Sequence, residues 1–305
     1  MSSMLDQPWA ATLIPLARAF IRFTPPSSLK ENLWHRVVDP YLAWRDHRFV
    51  AGTHAGRMAG STSDILQQYL YYFGNWEPHV AAFLRRRLQP GDGFVDVGAN
   101  IGYFSLFAAR QVGPTGSVVS IEASPEIFAL LAANITRNRS NIRALNFAAS
   151  DQPGRLKLFA GDDGNCGSST IAGAPGAKAK TEVEAAPLDT LLTSDEIAKA
   201  RLIKIDVEGA EAAVVAGMSS LLTQGRDDRE FLVEIHPEML ARLGRTVEDV
   251  LTPFREAGFH AYFIENDYDA TAYLRPDDPK KLLRLREPIE YDINVVFSRT
   301  DAEEL

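Results

Sequence analysis

Four short apolar runs in this sequence end in acidic residues, where an α/β sheet keeps the side chains that meet a ligand. In FVDVGANIGYFS (94–105) the apolar run reaches Asp96, and a turn with Gly98, Asn100, Gly102 and Tyr103 follows. SVVSIEAS carries Glu122 and Ala123 at its end. RLIKIDVEGAE puts Asp206, Glu208 and Glu211 within six residues, and FLVEIHPE adds Glu234, His236 and Glu238. Carboxylates this close repel one another unless solvent, a cation or a proton relieves them.

The first turn resembles a phosphate-binding loop but lacks its glycines. A dinucleotide fingerprint needs G-x-G-x-x-G; here Asn100 holds the second glycine position and Tyr103 the third. Gly98 and Gly102 would let a ligand approach the backbone and let the turn reach positive φ. Asp96 beside that turn repels phosphate and suits an ammonium or a sulfonium. Glu122, at the next strand end, is placed to accept hydrogen bonds from ribose hydroxyls. A ribose with a cationic amino-acid end and no phosphate describes S-adenosylmethionine (SAM). A nicotinamide oxidoreductase is the alternative, disfavoured by the missing glycines. A non-catalytic partner on the same fold is a third reading, against which stands the presence of every acid.

Methyl transfer needs positioning, which can supply roughly 7–11 kcal/mol, and an acceptor that must lose a proton needs a base, which typically adds about 10²–10⁴-fold. The candidates are Asp206, Glu208, Glu211 and His236. His236 has the most suitable unperturbed pKa, and Glu234 could orient its ring; a turn histidine bonded to backbone is its other role. Glu208 could instead bind acceptor hydroxyls, and Asp206 the SAM ammonium. Asp206, Glu208 and Glu234 also offer oxygen ligands for magnesium, but acids facing a sulfonium and hydroxyls need none, so no metal is expected. In GDDGNCGSST (161–170), Ser168, Ser169 and Thr170 are candidates for lining the acceptor cleft or simply for a solvated loop.

The elements that must position these residues alternate strand and helix. Strands are expected at 93–97, 117–121, 142–148, from 201 to Asp206, within 231–238 up to Glu234, and at 259–264 and 291–298, with helices at 125–138, 212–222 and 246–257. This is a doubly wound, mostly parallel sheet with an antiparallel edge. RLKLF (155–159) and TEVEAAPL (181–188) read as an inserted antiparallel pair, and 266–288 as a polar insertion. Residues 1–75 read as an N-terminal, mainly helical extension to a domain at 76–305. Helical patterns at 9–23 and 29–46 are split by TPPSS; glycines at 52, 56 and 60 mark a turn-rich or hairpin segment; 63–73 is a helix capped by Ser63. The aromatic cluster Tyr69, Tyr71, Tyr72, Phe73 and Trp76 is expected in the core, with substrate stacking as the alternative. Glu77, before Pro78, is placed to cap a helix.

The 305 residues are 46% hydrophobic and 24% charged, with net charge −8. That gives no basic footprint for nucleic acid. The single cysteine fits a reducing compartment and a cytoplasmic location. No run approaches the roughly 18 apolar residues of a membrane span, and no signal peptide is evident. Residues 9–23 form an apolar helix with Arg18 and Arg22 on one face, expected to pack on its own domain or on a homodimer partner; peripheral membrane contact is the other reading.

In NWEP, PGDGFVDVGANIGYFSL, VVSIEASP, AASD, GSST, PLDTLL, IKIDVEGAE, VEIHPE and INVVF, in that order over roughly 75–298, the chain resembles the FkbM-type family of SAM-dependent methyltransferases. The resemblance implies a class I (Rossmann-like) methyltransferase sheet of seven strands with the last antiparallel. It also implies O-methylation of a sugar or natural-product hydroxyl, the acceptor being a small molecule or glycan. Carried over residue by residue, Asp96, Gly98, Asn100 and Gly102 match the motif around the SAM amino-acid portion, and Glu122 the ribose acid. Ala123, Ser150 and Asp151 match the adenine surroundings. Asp206 matches the acid after the fourth strand, and Glu208, Gly209 and Glu211 the family signature. Glu77 in NWEP and Tyr103 join the expected cofactor residues.

Overall fold

The computed structural model describes residues 8–25, 27–43, 45–160, 169–173, 177–274 and 280–305. Its main sheet has eight strands: β1 (Gly93–Val97), β2 (Ser117–Ile121), β3 (Ile142–Leu145), β4 (Ala200–Ile205), β5 (Glu230–Ile235), β6 (His260–Ile264), β7 (Leu283–Arg284) and β8 (Ile293–Ser298). They lie in the order β7-β6-β8-β5-β4-β1-β2-β3. β3, β2, β1, β4 and β5 run parallel, and β8 is antiparallel to both β5 and β6. The seven expected strands and the antiparallel last one are present. Two corrections follow. The antiparallel strand is interior, inserted between β5 and β6, and the polar insertion contributes β7 as an eighth strand on the edge. The expected third strand stops at Leu145; Ala148–Ala149 pairs instead with Ala185–Ala186 of the inserted sheet, whose strands 154–158 and 181–185 are antiparallel as expected.

Both faces of this sheet are covered, so its strands are apolar nearly throughout. Alternate residues feed two cores. Val95, Val97, Ile203, Ile205 and Val233 pack under the helices Glu211–Ala216, Ser219–Thr223 and Val247–Glu256. The expected single helix 212–222 is thus two, parted at Gly217 and Met218. Phe94, Val118, Leu202 and Leu232 face the other core. There lie α3 (Pro78–Arg87) and α4 (Tyr103–Val112), preceded in the chain by α1 (Pro8–Phe23) and α2 (Ile65–Tyr72) and followed by α5 (Pro125–Asn138). On that second face the pattern breaks at the carboxyl ends of the strands. Two residues after Val118, Phe94, Leu202 and Leu232 come Ser120, Asp96, Lys204 and Glu234. Ser120, Asp96 and Lys204 are neighbours in register across β2, β1 and β4. A polar row is therefore built into one end of one face.

The N-terminal segment is a hairpin, Arg48–Thr53 with Gly56–Ser61, plus helices. Asp64, not Ser63, caps α2: its side chain accepts from the Gln67 amide. Arg18 and Arg22 of α1 turn inward to the carbonyls of Tyr71 and Gly52, while Leu13, Leu16 and Phe23 remain exposed. Among the described residues no helix is long and apolar enough to cross a membrane.

Candidate functional site

The loop after β1 folds back over β2: the amides of Gly98 and Ala99 both donate to the Ile121 carbonyl, at 2.9 and 3.0 Å. Asn100 sits at φ 48° and its amide donates to Glu122 Oε2 at 2.9 Å. The Ser124 amide donates to Glu122 Oε1 at 2.8 Å. Glu122 is therefore fixed by two backbone bonds. The glycines serve chain packing more than ligand approach. A Cβ on Gly98, at φ 82°, would meet the Asp206 carbonyl oxygen at 1.7 Å, and one on Gly102, at φ 90°, would press Leu131. Only residues without a Cβ let the β1 and β4 loops touch.

Asp96 and Glu122 open into one cavity of about 250 Å³. Gly98, Asn100, Tyr103, Ala123, Asp206, Glu208 and Glu77 also line it, so nine of the expected site residues converge. Gly102, Ser150, Asp151, Thr170, Glu211 and His236 are not among its walls. Phe147, Ala148 and Ala149 line it in place of Ser150 and Asp151; Ser150 bonds to Asp151 at 3.2 Å, and Asp151 faces Arg245 at 3.9 Å. Thr170 lies behind the wall, its hydroxyl donating to the Glu208 carbonyl at 2.5 Å. Ser168, and the side chain of Ser169, lie outside the described residues.

Glu77 holds the N-cap position of α3, but its side chain does not cap the helix. It stands at φ 43° with no capping bond, is 3% exposed, and accepts from the Tyr268 hydroxyl at 2.6 Å. Asp96 is 1% exposed; Ser120 bonds to Ser105 at 2.7 Å, and Ser105 donates to Asp96 Oδ2 at 2.5 Å. Asp96 Oδ1 and Glu77 Oε2 are buried with no hydrogen-bond partner among the described residues. Glu77, Asn100 and Glu208 (φ 53°) are three non-glycine residues in the left-handed region, and all three line the cavity. Such strain collects where a site over-determines the backbone.

Lys204 answers the crowding of acids. It is 2% exposed, donates to Asp206 Oδ2 at 2.7 Å, and lies over the Phe104 ring at 5.0 Å. Burial would lower its pKa, but Asp206, Asp96, Glu77 and Glu234 outweigh that and raise it. Burial raises Asp206, yet the Lys204 charge and hydrogen bond win and hold it below the usual range. The remaining acids take protons instead. Burial pushes Glu77 up to about 7, and Glu208 likewise, with the Asp206 charge adding to the latter. Burial also lifts Glu122 to about 7 against its two backbone bonds, and lifts Glu234 well above the carboxylate range.

His236 stands behind this wall. Its Nδ1 is 3.3 Å from Glu211 Oε1, and its Nε2 is 3.8 Å from both Glu208 and Glu234 carboxylates. Burial would lower its pKa; the Glu211 hydrogen bond and the charges of Glu234, Glu211 and Glu208 raise it to about 11. Glu211, fully buried, also accepts from the Gly209 amide at 2.8 Å and so shapes the turn that carries Glu208.

Among the wall residues without a site role in the sequence reading are Lys204, Tyr268 and Phe147. Lys204 had a visible signal, a lone charge inside an apolar strand two residues before Asp206. Tyr268 had none, since it comes from the polar insertion. Trp76, read as core or as a stacking residue, lines the cavity and lies 5.6 Å from the Tyr268 ring.

The family described as the methyltransferase FkbM domain matches residues 96–261. The chain is 29% identical over 177 residues to the 31-O-demethyl-FK506 methyltransferase FkbM of Streptomyces tacrolimicus, covering 49% of this chain and 67% of that protein. It is 30% identical over 149 residues to Methyltransferase 1 of Beauveria bassiana, covering 42% and 59%. It is 28% identical over 164 residues to the hexuronic acid methyltransferase AglP of Haloferax volcanii, covering 52% and 62%. The chain thus spans about three fifths to two thirds of the length of these relatives. A crystal structure of methyltransferase FkbM from Methylobacillus flagellatus aligns over 80% of this chain and 56% of that one, with 17% identity and a TM-score of 0.40.

Proposed function

We proceed from this chain's belonging to the FkbM methyltransferase domain family, and we propose that it is a SAM-dependent O-methyltransferase acting on a hydroxyl of a sugar or glycosylated natural product. The observation that carries the reading is the single cavity shared by Asp96 and Glu122, with Asp96 Oδ1 buried and unpartnered among the described residues. An orphaned carboxylate oxygen and a fixed ribose acid suit a cationic nucleoside without phosphate. SAM, when bound, supplies an electrophilic methyl on a sulfonium. Phe147, Ala148 and Ala149 offer the base an apolar wall, Glu122 accepts from ribose, and Asp96 and Glu77 accept from the amino-acid end.

Glu208 is the general base in this reading. It lines the cavity, its side chain is 37% exposed, and its pKa of about 7 lies where proton transfer is most effective. His236 already carries its proton at neutral pH, so it acts as a positioning residue, a fixed cation behind Glu208. Asp206 stays ionised beside Lys204. The printed names of two relatives, a 31-O-demethyl-FK506 methyltransferase and a hexuronic acid methyltransferase, support the acceptor class.

The test is thermal denaturation with SAM, S-adenosylhomocysteine or NAD, followed by labelled-methyl transfer across nucleotide sugars, free glycans and glycosylated extracts. A ligand at a hundred times its Kd stabilises by about 2.7 kcal/mol. The expected result is a shift with the two adenosyl sulfur compounds and none with NAD. A shift with NAD alone would return the nicotinamide reading.

A further inference from the structure

The cavity's charge balance assigns a task to Lys204 that rests on the SAM reading and goes beyond it. The amino-acid end of the methyl donor is a zwitterion, so a site for it must hold a carboxylate as well as an ammonium. Six acids line the cavity: Glu77, Asp96, Glu122, Asp206, Glu208 and Glu234. Among the described residues Lys204 is the one cationic side chain in that wall. Lys204 is thus the one fixed positive charge in that wall to which a free carboxylate is drawn. The ammonium of Lys204 has three N–H donors, of which Asp206 takes one at 2.7 Å. Its neighbour in register is Asp96, whose Oδ1 is unpartnered among the described residues, and Glu77, whose Oε2 is equally so, interacts with it electrostatically. A buried cation flanked by two orphaned acceptors is the complement of an α-amino acid.

We propose that Lys204 anchors the α-carboxylate of the methyl donor, with Asp96 and Glu77 receiving the adjacent ammonium. The bland alternative is that Lys204 only neutralises the buried acids around it. The two differ in which part of the ligand Lys204 reads. Decarboxylated SAM keeps the nucleoside, the sulfonium and the ammonium and lacks only the carboxylate.

Calorimetry with SAM and decarboxylated SAM on the full chain tests this, with K204M and K204R as variants. The wild type is expected to bind SAM at least about tenfold more tightly, as losing one partner of a buried charge pair does. K204M should shrink that gap to about threefold or less by weakening SAM alone, and K204R should keep most of it. Equal affinities in the wild type, or an undiminished gap in K204M, would overturn the proposal. If K204M does not fold, the wild-type comparison decides by itself. If neither compound binds the wild type, the methyl-donor reading falls first and takes this one with it.

Discussion

Glu208 is held in the left-handed backbone region by its neighbours: Thr170 takes its carbonyl, Gly209 follows at φ 102°, and Glu211 holds the Gly209 amide. That geometry turns the carboxylate toward the cavity with His236 behind it. Glu208→Gln keeps the shape and removes the base, so kcat should fall by about 10²–10⁴-fold while the Kd for S-adenosylhomocysteine stays put. A matching loss of binding would place Glu208 in the donor site instead. The raised acids also fix the sign of a pH effect. Glu77, Glu122 and Glu208 sit at about 7 in the folded chain and near the ordinary carboxylate value when unfolded. The ligand-free protein therefore binds more protons folded than unfolded between about 4.5 and 7, and its stability falls as pH rises through that window. His236, at about 11, contributes stability that is full below about 6.5 and fades above it, in the same direction. Asp206 works the opposite way, losing its contribution only in acid, below about 3.8. A cationic ligand favours the ionised acids, so SAM should bind more tightly at pH 8 than at pH 6, with protons released on binding. Melting curves and calorimetry in buffers of different ionisation enthalpy check both signs.

At the scale of elements, α5 does what a strand would do for the hairpin beside it. Asn134 and Asn138, one turn apart, reach the edge of Gly56–Ser61: Asn134 Oδ1 accepts from the Ala59 amide at 2.8 Å and Asn138 Oδ1 from the Arg57 amide at 2.9 Å. Asn134 also donates to the Ile101 carbonyl at 3.0 Å and is fully buried, so it ties the hairpin to the ligand loop. Asn134→Ala strands the half-buried Ala59 amide and the buried Ile101 carbonyl, and should cost about 2–4 kcal/mol in chemical denaturation, with weaker S-adenosylhomocysteine binding besides. Stability within about 0.5 kcal/mol of wild type would remove this link. None of this was legible from residue types, because an asparagine on a helix looks the same whether it meets water or an edge strand. What was legible is local. The sheet's strands announce themselves as apolar runs, and Asp96, Glu122, Asp206 and Glu234 as the acids that end them. Lys204 followed the same two-residue alternation and was missed because a lysine in a strand reads as an exposed position. Glu77 was misread as a cap since capping acids share its place before a proline, and the interior position of β8 depends on pairing that no local pattern encodes.

For the molecule as a whole, the described residues between 8 and 61 are woven into the site. Ala55 and Met58 of the hairpin pack in one core with Phe83, Phe104 and Leu106, beneath the face that carries Asp96. α1 and the segment after it bury Ile14, Ile21, Trp34 and Val38 against Tyr71, Tyr72, Ala270 and Leu274. The last two belong to the short helix that follows Tyr268, and the Tyr69 hydroxyl donates to the Tyr268 carbonyl at 2.8 Å. α2 supplies Ile65 and Leu66 to the cavity wall. A detachable lid or arm would leave a folded domain when removed; these contacts argue for the opposite. Deleting residues 2–61 uncovers the partners of at least four large buried side chains, each worth about 1.5–3 kcal/mol. The summed loss, on the order of 6 kcal/mol or more, rivals the whole stability of an ordinary domain. The truncated chain should be insoluble or lack a cooperative melting transition, and S-adenosylhomocysteine should not rescue it. A soluble truncation that melts cooperatively and still binds S-adenosylhomocysteine would show that the domain stands by itself from α2 onward, with Tyr268 held by some other means.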